Sequence, residues 1–174
     1  MATYTLISSV TVGSGGAANI EFTSIPSTYT DLVLLLSLRS NRSAQRSGIG
    51  ILFNNSTSSY QYRRLYASGS TVGSDTDNTI GAVYAGEMNA ASSTGSTFSN
   101  NFIYVPNYAS SNNKSVSSDT GQETNDDTNN RLSLIANLWS NSSAITSIKL
   151  FDVDSSSALL IQHSTAYLYG ISNA

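Results

Sequence analysis

The chain has 174 residues, the length of one domain, a net charge of −3 at neutral pH, one histidine and no cysteine. That balance gives no electrostatic footprint for nucleic acid, and the lack of cysteine rules out disulfides, thiolate metal sites and cysteine nucleophiles. Only 11% of residues are charged, well under the usual quarter, and Ser, Thr and Asn replace them, so the expected surface is polar but mostly uncharged.

Residues 3–12 alternate β-favouring side chains with no helical period and predict a strand, ended by the flexible turn 13–16. Ile20 and Phe22 mark a second strand, stopped at Pro26. Residues 32–38 form the longest apolar run, with Leu32, Leu34, Leu36 and Leu38 on one strand face and Val33 and Leu35 on the other. A run apolar on both faces reads as the central strand of the core, bounded by Asp31 and Arg39. Val33 and Leu35 are expected to face a partner subunit.

Ile49, Ile51 and Phe53 make the next strand. Residues 60–66 follow, with Tyr60, Tyr62, Arg64 and Tyr66 on one face. Residues 69–78 read as a loop, 79–84 as a short strand and 87–94 as a loop. A strand over 97–105 places Phe98, Phe102 and Tyr104 together and closes at Pro106. Residues 109–130 are the least structured part, with a brief strand at 114–118. Leu132, Leu134, Ala136 and Leu138 alternate along 131–139. Residues 144–153 are β-rich, and 158–161 with 164–171 finish as a hairpin-like pair. About ten strands and no helix predict an all-β, antiparallel β-sandwich, one domain over 1–174, with a jelly roll as the first choice.

Chemical motifs are sparse. His163 has no G-x-S-x-G elbow or other nucleophile setting to serve, and it reads as a residue at a strand edge or turn. Asp75, Asp77 and Asn78, and the stretch 119–127, gather oxygen ligands without EF-hand spacing, so solvated loops are expected and no metal or cofactor is assigned. The basic spots Arg42, Arg46, Arg63 and Arg64 fit either internal pairing with the acidic loops or an acidic neighbouring subunit. Tyr60, Tyr62 and Tyr66 fit a core or subunit contact better than a sugar platform. Residues 1–12 lack the basic start and apolar core of a signal peptide, and no run is long enough for a membrane helix.

Several stretches together resemble a family of small virion proteins of tailed bacteriophages, particularly those of cyanobacteria and marine bacteria. They are YTLISS at 4–9, the Ile25-Pro26 step leading into DLVLLL at 31–36, and residues 60–66. YVPNY at 104–108, Leu138-Trp139, AITSI at 144–148 and the ending STAYLYGI at 164–171 complete the set. The resemblance implies a non-enzymatic β-sandwich component of the virion, made in the host cytoplasm. Its first expected role is a capsid decoration or cement protein bound to the major capsid protein. The alternative is a tail-fibre or receptor-binding module that recognises host polysaccharide among other tail proteins. By analogy the chain is expected to form a homo-oligomer, a trimer, with no nucleic-acid or membrane partner. Tyr60, Tyr62, Arg63, Arg64 and Tyr66 are the expected interface residues.

Overall fold

The computed structural model describes residues 2–125 and 129–172, which form twelve strands and no helix. These are β1 (Thr3–Thr11), β2 (Asn19–Phe22), β3 (Asp31–Ser37), β4 (Arg46–Phe53), β5 (Tyr60–Ser68) and β6 (Thr71–Asp77). The chain continues through β7 (Val83–Asn89), β8 (Asn100–Val105), β9 (Lys114–Gln122), β10 (Arg131–Trp139), β11 (Ile148–Asp152) and β12 (Thr165–Ser172). An eight-stranded sheet runs β1-β12-β3-β8-β9-β10-β5-β6, and a four-stranded sheet runs β2-β11-β4-β7.

Four nested antiparallel pairs alternate between the sheets: β1 with β12, β2 with β11, β3 with β8, and β4 with β7. That nesting is the rolled double Greek key of a jelly roll, so the expected antiparallel sandwich is the fold. Two hairpins enlarge it. β5-β6 is inserted between β4 and β7, and β9-β10 between β8 and β11. Pairing of β9 with β8, and of β10 with β5, joins both to the larger sheet.

β3 lies between β12 and β8, as an interior strand should. Leu32, Leu34, Leu36 and Leu38 are all buried among Phe22, Ile51, Ile103 and Leu168 in one core cluster. On the other face Val33 is only 1% exposed, flanked in register by Tyr104 and Tyr169, whereas Leu35 is open to solvent. Asp31 and Arg39 are not solvated boundaries, for both are buried. The Asp31 carboxylate accepts from Tyr104 Oη at 2.9 Å and from the Asn107 amide at 2.8 Å. The Arg39 guanidinium donates to the carbonyls of Ser93, Thr94 and Thr97.

Other boundaries also shift. β6 occupies the predicted loop 69–78; it carries little apolar signal because it is an edge strand held by backbone pairing with β5. β7 runs into the predicted loop 87–94, and β9 is a full nine-residue strand where a brief one was expected. Residues 158–161 form no strand and contribute only isolated bridges through Leu160. β12 instead pairs with β1 and β3.

Candidate docking face and inter-sheet charge cluster

Tyr60, Tyr62, Arg64 and Tyr66 share one face of β5, and that face points into the molecule. Tyr60 is buried, stacks on Trp139 with ring centroids 5.9 Å apart, and its hydroxyl accepts the Phe53 N–H at 3.0 Å. Tyr62 stacks on Tyr84 of β7 at 5.0 Å. Tyr66 lies between the guanidinium groups of Arg64 and Arg131, at 4.8 and 4.3 Å from its ring centre. Its ring also covers Gly73 directly opposite on β6, where an added Cβ would come within 2.7 Å of it. Arg63 alone of the five residues points outward. Of the five expected interface residues, Tyr60 and Arg64 are thus buried within this chain, Tyr62 and Tyr66 are half-buried, and Arg63 is exposed.

Arg64 is the hub of a charge cluster. It donates to Glu87 Oε1 at 2.5 Å, to Tyr84 Oη at 3.2 Å, and to both carboxylate oxygens of Asp75. Arg131 of β10 reaches the same Glu87 oxygen at 2.9 Å. Burial opposes the charged form of Arg64, but Asp75 and Glu87 overcome that and raise its pKa. Burial also raises the Tyr84 pKa, with the Glu87 charge adding to it. A cleft of about 410 Å³ beside the cluster includes Arg42, Arg46 and Asp154. The guanidinium of Arg64 is occupied by Asp75 and Glu87 and that of Arg131 reaches Glu87 through Nη1 while its Nε is buried without a partner, so the arrangement is an ionic clip joining β5, β10 and β7.

A bulge makes that clip possible. Tyr84 and Glu87 are three residues apart and would leave a regular strand on opposite faces. Tyr84 pairs with Gly50 and Glu87 with Gly48, so two β7 residues, Ala85 and Gly86, oppose the single residue Ile49. The extra residue returns Glu87 to the face of Tyr84. Gly86 takes φ +111°, and a Cβ there would stand 2.2 Å from the Thr120 side chain of β9. Only glycine meets both conditions.

The free edge of β7 rests against the inner face of the larger sheet, which explains the polar inward residues of β10. Asn137 accepts the Tyr84 N–H at 2.9 Å and returns a bond to the Tyr84 carbonyl at 3.1 Å, acting as a substitute strand partner. Asn101 of β8 donates to the Glu87 carbonyl at 3.4 Å, and Ser133 Oγ lies 3.5 Å from the Glu87 carboxylate. An edge strand paired by side chains in this way does not recruit a foreign strand.

The apolar side of β10 is consequently outside. Ser133, Ile135, Asn137 and Trp139 are buried, whereas Leu132 is 64% and Leu134 56% exposed. Leu65 of β5 stands opposite Leu134 and is 53% exposed, and Val72 of β6 continues the patch opposite Ala67. Phe102, Leu35 and Tyr167 extend the exposed apolar side chains across β8, β3 and β12. The outward residues Ser115, Ser117 and Asp119 of β9 separate the leucines of β10 and β5 from Phe102, Leu35 and Tyr167, and exposed apolar groups gathered in this way mark an interaction site.

His163 occupies a turn with φ 73°, exposed at a cleft of about 430 Å³ that also involves Phe98, Asn41 and Gln162. Its backbone amide bonds to the Val12 carbonyl at 3.0 Å. Asp77 accepts the amide and hydroxyl of Thr79, and Asp75 is held by Arg64. Of the acidic stretch 119–127, residues 126 and 127 lie outside the described residues.

No protein-family profile matches the chain, and no curated protein is similar to it in sequence. Among solved structures it is similar to the galectin LEC-6 of Caenorhabditis elegans, at 8% identity and a TM-score of 0.35, over 95% of this chain and 96% of that one. A fructofuranosidase of Schwanniomyces occidentalis is similar at 8% identity and a TM-score of 0.25, over 99% of this chain and 33% of that one. Both likenesses are too loose to bear on function.

Proposed function

We propose that the chain is a non-enzymatic structural component of a tailed-phage particle, seated on the capsid as a decoration protein. The observation that supports this reading is the outward row of leucines on the eight-stranded sheet. A β-sandwich that keeps polar residues inside β10 and apolar residues outside it is fitted to lose that outer face to another protein. Fully burying an exposed leucine is worth roughly 1.5–3 kcal/mol and about half of that remains to be gained at these half-exposed side chains, so a few such residues on many copies add to the cohesion of a shell. The resemblance of the strand sequences to phage virion proteins supplies the kind of particle.

A protein census of purified particles tests the reading. Decoration predicts hundreds of copies per particle. A handful of copies, or a location confined to the tail, contradicts it and favours the receptor-binding role.

A further inference from the structure

The outer face of the larger sheet carries one cation and one anion left without partners by the chain. Arg63 stands on β5 opposite Ala136, and Asp119 on β9 opposite Leu134. Neither side chain makes an ion pair or hydrogen bond among the described residues. Two strand spacings of about 4.8 Å and one two-residue step of about 6.8 Å separate their Cα atoms by about 12 Å. They flank β10 diagonally, with the exposed pair Leu134 and Ala136 between them. A shallow depression of about 390 Å³ runs along this line.

We propose that this face binds a second copy of the chain about a two-fold axis that lies in the plane of contact, passes over β10 between Leu134 and Ala136, and runs perpendicular to the line from Arg63 to Asp119. The proposal rests on reading the face as a docking surface, and it names the occupant. Such an axis exchanges the positions of Arg63 and Asp119, so each Arg63 lies over the Asp119 of the other copy. The two ion pairs are thus formed by a single symmetry operation, as a self-complementary interface requires. Leu65 and Leu134 of one copy are laid against Leu134 and Leu65 of the other, removing them from water. Charge complementarity of this sort fixes register, while the apolar centre supplies the affinity. A heterologous arrangement, such as the trimer expected by analogy, does not make use of this relation.

Sedimentation of the full chain tests the proposal through charge reversal. The unmodified protein should show a concentration-dependent dimer. Arg63→Glu alone and Asp119→Arg alone should each weaken association about tenfold or more. Mixing the two variants should restore a dimer, since every facing pair is then opposite in sign, and the double variant should dimerise by itself. Both positions are on the exposed face, and unchanged circular dichroism shows that the fold is kept. A chain that stays monomeric at about 100 μM, well above the roughly micromolar range of weak specific complexes, overturns the proposal. So does a trimer, single variants that associate normally, or a mixture that fails to recover. None of these results alters the particle census, which tests the virion role separately.

Discussion

Glu87 of β7 and Arg64 of β5 meet at 2.5 Å with both side chains at least nine-tenths buried, joining two strands that share no backbone pairing. Arg131 shares the same carboxylate oxygen. Removing one member of a buried charge group leaves the others uncompensated, a larger loss than the net worth of the pair. Glu87→Ala is therefore expected to destabilise the fold by about 3 kcal/mol or more, read as a lowered urea midpoint with an unchanged slope. A midpoint equal to that of the unmodified chain contradicts the clip.

Gly86 carries the bulge that aims Glu87. Gly86→Ala is strained by its φ of +111° and by the nearness of Thr120. A loss of about 2 kcal/mol or more is expected. Gly121→Ala provides the comparison, because its Cβ would meet nothing nearer than 3.9 Å and its φ is ordinary. The two should separate clearly in thermal unfolding, and equal losses would count against a required bulge.

Leu34 and Leu134 make an informative pair. Leu34 is wholly buried, and Leu34→Ala should cost about 2–5 kcal/mol. Leu134 is 56% exposed, so Leu134→Asp should cost the isolated chain only about 1 kcal/mol, from strand propensity and the Asp119 carboxylate opposite it. The same change should abolish self-association. Sedimentation and denaturant unfolding on both variants would show the division, and a Leu134→Asp chain as destabilised as Leu34→Ala would contradict the outward placement.

Alkaline pH gives a fourth test. Burial pushes the Tyr60 hydroxyl up to about 12, from an ordinary value of 10.0. Between those values the unfolded chain loses the proton while the folded chain keeps it, so the folded state binds more protons and stability falls as pH rises. Stability from this group is complete below pH 10 and declines from there toward 12. Tyr60→Phe should reduce the decline while costing about 1–3 kcal/mol at neutral pH, because the buried Phe53 N–H loses its acceptor. A decline of equal steepness in the variant would mean that other tyrosines account for it.

The jelly roll was legible where side-chain pattern and burial agree, as in the leucines of β3 and in Ile49, Ile51 and Phe53 of β4. β6 and β9 were obscure because strands such as KSVSSDTGQ show no apolar face to find. β10 shows in another way what local alternation leaves open. Its better apolar face, Leu132 to Leu138, is outside because Ser133 and Asn137 are needed inside to satisfy Glu87 and the edge of β7. That demand comes from a strand more than forty residues away in sequence and is invisible in local alternation. The cluster around Arg64 was half legible. The common face of Tyr60, Tyr62, Arg64 and Tyr66 was apparent, but Glu87 could be placed there only through the bulge at Ala85 and Gly86.

A cryo-electron microscopy map of the intact phage particle tests the central claim most directly. The account predicts hundreds of copies in a regular array on the capsid, with Leu65, Leu132 and Leu134 covered by a neighbouring protein. A few copies at the tail, or an array in which that face is open to solvent, would contradict it.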